Sequence, residues 1–312
     1  MGILKALESL RNPVLDTIMQ GITYLGEELV FMAVALILFW CVDKWKGYFI
    51  LAVGFLGTIL NQFLKLAFRV ERPWVKDPSF TIVESARSGA TGYSFPSGHT
   101  QNAVGTFGGI ARGTKKNWLR VVLIVLSCLI AFSRMYLGVH YPTDVGVAFV
   151  TAVVLILVLY PIMQKARTSP RWMYGTLGCM TLVAIAYLCY LNLWKFPEEV
   201  RSNANYTEGL ANGWKLFGAL VGLIVAYTVD EHKIHFSEQA PLLGQICKVV
   251  LGLVLIVGIK SGLKALFGLF SDGAFWDAAR YFVIVVFAGV VWPLSFPLWQ
   301  KVGRKAKQES KI

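Results

Sequence analysis

The chain is short of charge. Of its 312 residues only 15% are Asp, Glu, Lys or Arg, while 56% are hydrophobic. Soluble domains carry about 25% charge. So few charges do not cover a soluble surface, which excludes a soluble globular, an intrinsically disordered and a collagenous chain and leaves an integral membrane protein. Cysteine is scarce too. The five, at positions 41, 128, 179, 189 and 247, form no CxxC pair and lie mostly inside apolar runs, so neither a disulfide framework nor a thiolate metal site is indicated. HExxH motifs, paired-aspartate clusters, fixed-period repeats and long linkers are all missing. Acidic residues are the rarer sign, 18 against 30 Lys and Arg, for a net charge of +12. That excess is spread between apolar runs, as positive-inside loops require, and not gathered as a nucleic-acid surface.

What is present is a succession of apolar runs. A bilayer core takes about 20 residues of helix. Nine stretches qualify as candidate spans: 28–43, 46–69, 97–112, 118–137, 143–165, 172–194, 212–229, 241–269 and 277–299. The expected fold is an all-α polytopic membrane helix bundle of about nine transmembrane helices plus an N-terminal interfacial helix. The third span, SGHTQNAVGTFGGIAR, is the least hydrophobic, and its small residues suit a helix buried in the bundle. Residues 3–22 place Ile3, Leu4, Leu7, Val14, Ile18 and Ile22 on one arc, opposite Lys5, Ser9, Asn12 and Asp16. This segment reads equally as a helix in the membrane interface or as one packed on the bundle, with Pro13 opening a second piece. The expected organisation is an amphipathic segment at 1–27, a catalytic bundle at 28–170, further spans at 171–300 and a basic tail at 301–312. With the N-terminus outside, fifteen positive loop and tail residues fall on the inner side against seven on the outer. The C-terminus is then cytoplasmic, and the compact loops suggest a bacterial plasma membrane.

Three polar segments fall at the outer ends of these helices. Lys65 and Arg72 are seven apart, which puts them on one helical face, and Pro73 disfavours helix at Arg72. Ser97 in Phe95-Pro96-Ser97-Gly98-His99 is a good N-cap, with free backbone N–H groups beside it and His99 in the first turn. In the third segment, Ser133-Arg134 through His140 to Asp144, the spacing of four lets a carboxylate accept from one imidazole nitrogen and leave the other free. Singly, each is explained by snorkelling or capping. Together they converge three cations, two of the chain's four His, one Asp and a helix N-terminus on one face. That set suits a phosphoryl transition state with a nucleophile and a proton donor, and it suits metal chemistry poorly. Spacing alone leaves open which His attacks; Asp144 beside His140 favours His140.

These segments, Lys65-x6-Arg72-Pro73, Pro96-Ser97-Gly98-His99 and Ser133-Arg134-x5-His140-x3-Asp144, resemble the motifs of the type-2 phosphatidic acid phosphatase family, whose relatives include glucose-6-phosphatase, sphingosine-phosphate phosphatases and vanadium haloperoxidases. All three are complete and in order, over roughly residues 28–165. The resemblance implies a metal-independent phosphatase without a cofactor. Its catalytic set would be His140 as nucleophile forming a phosphohistidine, Asp144 orienting it, and His99 protonating the leaving oxygen and then activating water. Lys65, Arg72, Arg134, Ser97 and the Gly98 amide would hold the phosphoryl oxygens. The expected substrate is a lipid phosphate or isoprenyl diphosphate at the extracytoplasmic face. A soluble phosphomonoester, as for glucose-6-phosphatase, is the alternative, and a non-catalytic transporter or scaffold is a third reading.

Outside the motifs, Lys260 and Lys264 share a helical face and form a candidate secondary anion site, with Asp272, Asp277 and Arg280 nearby in sequence. Snorkelling or pairing with those aspartates explains the lysines as well. The outward segment 194–211 is a candidate cover for the site and carries an Asn205-Tyr206-Thr207 sequon.

Overall fold

The computed structural model describes residues 1–269 and 273–303. Asp272 and the tail cations Arg304, Lys305, Lys307 and Lys311 lie outside the described residues. No strand occurs among the described residues; the chain is a bundle of helices. It divides into two compact units, one of residues 1–35 and 48–214, the other of 36–47 and 215–312.

The first unit begins with α1 (Gly2–Glu8) and α2 (Pro13–Tyr24), separated where Asn12 caps α2 by accepting from Leu15 N and Pro13 takes the first helical position. α3 (Glu28–Ile37) follows at a 48° bend from α2. α4 (Lys44–Phe68) ends where Arg69 adopts φ +50. The helix therefore stops four residues before the Pro73 signal, and Lys65 and Arg72 do not share one continuous helical face. The chain from 69 to 97 carries the short α5 (Pro73–Lys76) and a 3-10 turn at Glu84–Ala86. α6 (Gly98–Ala103) runs through a π-helical turn (Val104–Gly108) into α7 (Gly109–Gly113). Next come α8 (Asn117–Tyr136), α9 (Pro142–Ala166), α10 (Pro170–Leu193), the single turn α11 (Glu198–Arg201) and the start of α12 (Ala204–Val229).

The polar, glycine-rich segment 98–113 is the buried centre of this unit, packed against α8 and α9. A Cβ on Gly109 would stand 2.6 Å from Ile50 Cδ1, so the glycine makes room for the Ile50 side chain of α4. The N-terminal helices also pack on the bundle. α1 and α2 lie along α8, and Leu4 is fully buried with Phe80 and Ile82. Ile3, Leu10, Val14 and Ile18 remain exposed, so the amphipathic arc is only partly spent on packing.

The second unit holds residues 36–47, the rest of α12, α13 (Leu242–Gly268), α14 (Ala274–Val286) and the short α15 (Phe296–Trp299). Gly218 and Gly222 bring α12 onto the backbone of α14 at Ala278 and Phe282. Lys248 is buried without a carboxylate partner among the described residues; it donates to Trp40 O (2.7 Å) and Glu238 O (2.9 Å) and lies over the Phe296 ring.

Among the described residues, seven helices are long and apolar enough to cross a membrane: 44–76, 117–136, 142–166, 170–193, 204–234, 242–268 and 274–299. The bent pair 13–24 and 28–42 is an eighth when taken as one span. The segment 98–113 is too short for that test.

Candidate active site

The site forms where four chain segments of the first unit meet. α4 contributes Lys65 and the stretch after it Arg72. The N-terminus of α6 contributes Ser97, Gly98 and His99. The last turn of α8 supplies Arg134, and the turn into α9 supplies His140 and Asp144. Every one of these is buried except Gly98 and His99, which are half-buried.

His140 is gripped from both sides. Its Nδ1 lies 3.3 Å from Asp144 Oδ2, and its Nε2 lies 3.0 Å from Arg72 Nη1. Guanidinium only donates, so Nε2 is the acceptor and the ring proton sits on Nδ1, toward the carboxylate. The Nε2 lone pair is thus the one turned to the arginine. Burial is the largest influence on this ring, followed by the charges of Arg72, Arg134 and Lys65; together they push its pKa well below 6.5 and keep the imidazole neutral. Asp144 also accepts from Tyr141 N (2.9 Å) and from the Ser94 hydroxyl. The carboxylate therefore caps α9 and orients the histidine at once.

Arg72 and Lys65 are positioned by backbone carbonyls. Arg72 donates to Thr91 O (2.8 Å), Gly92 O (3.1 Å) and Val139 O (2.9 Å), and Lys65 Nζ to Tyr93 O (2.6 Å). Gly92 has φ +60, and a Cβ there would fall on the Asn205 side chain, so the position demands glycine twice over. Arg134, 1% exposed, spends Nη1 on Thr23 Oγ1 (2.8 Å), while Nε and Nη2 are buried without a partner. Two orphaned guanidinium nitrogens in a buried site are what an absent anion would leave. Ser97 caps α6, its Oγ accepting from the Thr100 amide and hydroxyl. The Gly98 and His99 amides open the helix with no intrahelical partner. The His99 ring makes no hydrogen bond among the described residues. The Phe95–Pro96 peptide is cis.

Sequence reasoning missed several members. Ser94, Thr23 and Asn61, whose Nδ2 reaches Pro96 O (3.5 Å), carry no motif signature. Segment 194–211 packs over the loop at 91–93, with Asn205 Oδ1 accepting from Tyr93 N and Glu208 near Thr91. Asn205 is 2% exposed, so the sequon is not available as a glycosylation acceptor in the folded chain. Lys260 and Lys264 belong to the second unit and are both exposed; Lys264 alone lines a cavity. Among the described residues, no three His, Cys, Asp or Glu gather as a metal-ligand group.

A buried histidine thus stands between a carboxylate and an arginine, with Lys65 and Arg134 also buried at the ends of the neighbouring helices. Residues 45–168 match the PAP2 superfamily, and residues 214–304 match the PAP2 superfamily phosphatase transmembrane extension. Phosphatidylglycerophosphatase B of Bacillus subtilis (strain 168) is 30% identical over 179 residues, covering 53% of this chain and 84% of that one. Undecaprenyl-diphosphatase BcrC of the same organism is 32% identical over 162 residues, 49% of this chain and 78% of that one. A solved structure, Aquifex aeolicus LpxE, aligns at 27% identity and a TM-score of 0.45, covering 50% of this chain and 92% of that one. The chain belongs to the PAP2 superfamily and is an integral-membrane phosphatase of that family.

Proposed function

We propose that the protein hydrolyses a lipid phosphate or isoprenyl diphosphate at the extracytoplasmic membrane face, through a phosphohistidine on His140. The observation that carries this reading is the paired contact of His140, Nδ1 to Asp144 and Nε2 to Arg72. When a phosphoryl group enters, Arg72 exchanges the imidazole for a phosphoryl oxygen and frees the Nε2 lone pair. That lone pair attacks phosphorus while the P–O bond to the leaving group breaks, and His99 delivers a proton to the departing oxygen. Asp144 stabilises the positive charge that develops on the ring. Lys65, Arg72, Arg134, Ser97 and the Gly98 amide hold the equatorial oxygens. In the second half, His99 takes a proton from water, the water oxygen attacks phosphorus, the P–N bond breaks and phosphate leaves.

A lipid substrate is favoured over a soluble one by the surroundings of α4. An apolar groove of about 370 Å³ runs along α4, α9 and α10, lined by Leu56, Leu60, Phe63, Val183 and Tyr190 among others. The groove gives an acyl or isoprenyl chain an apolar seat along the same helix that carries Lys65. The related proteins named above point the same way, being phosphatases of a phospholipid and of an isoprenyl diphosphate.

The test is phosphate release and phosphoenzyme labelling by purified protein in EDTA. The panel holds phosphatidylglycerol phosphate, undecaprenyl diphosphate, phosphatidate and glucose 6-phosphate. Wild type releases phosphate from the lipids, is inhibited by vanadate and traps label. His140→Ala releases no phosphate and traps no label, and Asp144→Asn is expected to retain weak turnover. Full turnover by folded His140→Ala, or activity that needs an added divalent ion, removes this mechanism. Preference for glucose 6-phosphate moves the substrate to the soluble class.

A further inference from the structure

The turn that carries His140 is gripped by two arginines, and one of them lies outside the phosphoryl cradle. A helix end leaves carbonyls that need donors. At the end of α8 the amides of Leu137, Val139 and Gly138 serve Ser133 O, Arg134 O and Met135 O, at 2.9, 3.2 and 3.0 Å. Leu137 O accepts from Val83 N (3.1 Å). Val139 O accepts from Arg72 Nη1 (2.9 Å), within the cradle. Tyr136 O accepts from Arg11 Nε (2.9 Å), a residue 125 positions away in the link between α1 and α2. The same guanidinium donates through Nη1 to Thr81 O (2.7 Å) and lies over the buried Phe80 ring, 5.2 Å from its centroid. Gly138 has φ +82, and a Cβ there would stand 2.6 Å from Arg11 Nη2, so the guanidinium lies directly against the turn. Its neighbours fix it in place. Asp16 accepts from the Tyr136 hydroxyl (2.8 Å), and Glu8 Oε1 accepts from Thr81 N (2.8 Å). A planar fork serves two carbonyls at a set angle, which an ammonium does not do.

We infer that Arg11 is a positioning residue for the phosphatase reaction, clamping the turn between Arg134 and His140 so that the histidine keeps its aim. The inference rests on His140 as the attacking group. Arg11 lies outside both stretches that match the family, 45–168 and 214–304, so the clamp belongs to the N-terminal segment of this chain. Without it the turn keeps Arg72 on Val139 O but loses its hold at Tyr136 O, and Gly138 leaves the backbone able to drift. The cations that hold the phosphoryl group are anchored elsewhere: Lys65 at Tyr93 O, Arg72 also at Thr91 O and Gly92 O, Arg134 at Thr23 Oγ1. Loss of Arg11 therefore slows attack and leaves substrate binding in place.

Steady-state turnover and single-turnover phosphoenzyme labelling of the full chain in detergent test it, with phosphatidylglycerol phosphate and undecaprenyl diphosphate as probes. Arg11→Gln is expected to lower kcat and the rate of label uptake about tenfold, with KM held within about twofold, as a misplaced reacting group predicts. Arg11→Lys keeps the charge and one of the two carbonyl contacts, so its loss should be roughly threefold. Lys5→Gln breaks the exposed pair of Lys5 with Asp77 (3.2 Å), a contact of the same segment that does not reach α8, and should behave as wild type. Wild-type kcat in folded Arg11→Gln overturns the inference, as does a rise in KM with kcat unchanged. An equal loss in Lys5→Gln also overturns it, because general loosening of the segment would then be enough. If Arg11→Gln does not fold, Arg11→Lys decides, and wild-type kcat there overturns the clamp. His140→Ala separates the two readings. Turnover by folded His140→Ala removes the nucleophile on which the inference rests; a dead His140→Ala beside fully active Arg11 variants removes the clamp alone.

Discussion

His140 is kept neutral because its surroundings oppose a positive ring. It is 2% exposed, and Arg72 already points a proton at Nε2. Protonation of Nε2 would break that contact and place two cations face to face. The consequence reaches stability. The unfolded chain binds a proton at this residue below pH 6.5, whereas the folded chain, with its pKa pushed well below that value, does not. Stability therefore rises with pH wherever the unfolded state holds the extra proton. The contribution is complete above 6.5 and is lost as pH falls toward the folded pKa, at about 1.4 kcal/mol for each pH unit. Denaturation in detergent between pH 7.5 and 5, wild type against His140→Gln, should show the wild type losing more stability on the acid side. Parallel curves would mean that the ring protonates as freely in the folded protein as in the unfolded chain.

At the scale of elements, α2 serves the site although it carries none of the three motifs. Thr23, in its last turn, is the only hydrogen-bond partner of the Arg134 guanidinium among the described residues. Just beyond, at the bend before α3, Gly26 lets the chain touch α6, since a Cβ there would stand 3.0 Å from His99 O. Removing the hydroxyl leaves a buried cation with one partner fewer, at a cost of about 1–3 kcal/mol. Thr23→Val is thus expected to lower kcat/KM roughly tenfold or more, with Thr23→Ser restoring most of it. Wild-type kinetics in folded Thr23→Val would show that Arg134 is placed by packing alone. This contact also marks where the sequence stops being legible. Ser97 as a cap and Asp144 four residues after His140 can be read because caps and helical spacing are local. Thr23 meets Arg134 across 111 residues, and Arg72 is held by carbonyls at 91, 92 and 139 that any residue would offer. The same limit affects Lys65 and Arg72. A seven-residue spacing suggests one helical face, but α4 breaks at Arg69, and the loop carbonyls then aim Arg72.

The number of crossings is a property of the whole molecule, and the site constrains it. Arg72 follows the end of α4, and His140 follows the end of α8, and the two side chains touch. α4 and α8 therefore end on the same side of the membrane. α8 enters from the opposite side, so the chain must cross back between residue 72 and residue 117. The only helix of useful length there is 98–113, whose 16 residues span about 24 Å against about 30 Å of hydrocarbon. A short, glycine-rich helix is tolerated at that depth when protein surrounds it, and here Ala103, Val104, Phe107 and Ala111 are all buried. With 98–113 counted as a span, the loops of the first unit that are rich in Lys and Arg, at 112–120 and 165–171, fall on the side away from the site. Cysteine accessibility in intact cells tests this directly. In a background with the five native cysteines replaced, Ser79→Cys, exposed in the loop after α5, should react with a membrane-impermeant maleimide in whole cells. Ser237→Cys, exposed in the loop between α12 and α13, should react only after permeabilisation. Labelling of both from one side would mean that one of the five helical segments between them does not cross, and Arg72 and His140 could then meet only if that segment lay after His140. Labelling of Ser237→Cys alone in intact cells would invert the molecule and place the phosphatase chemistry at the cytoplasmic face.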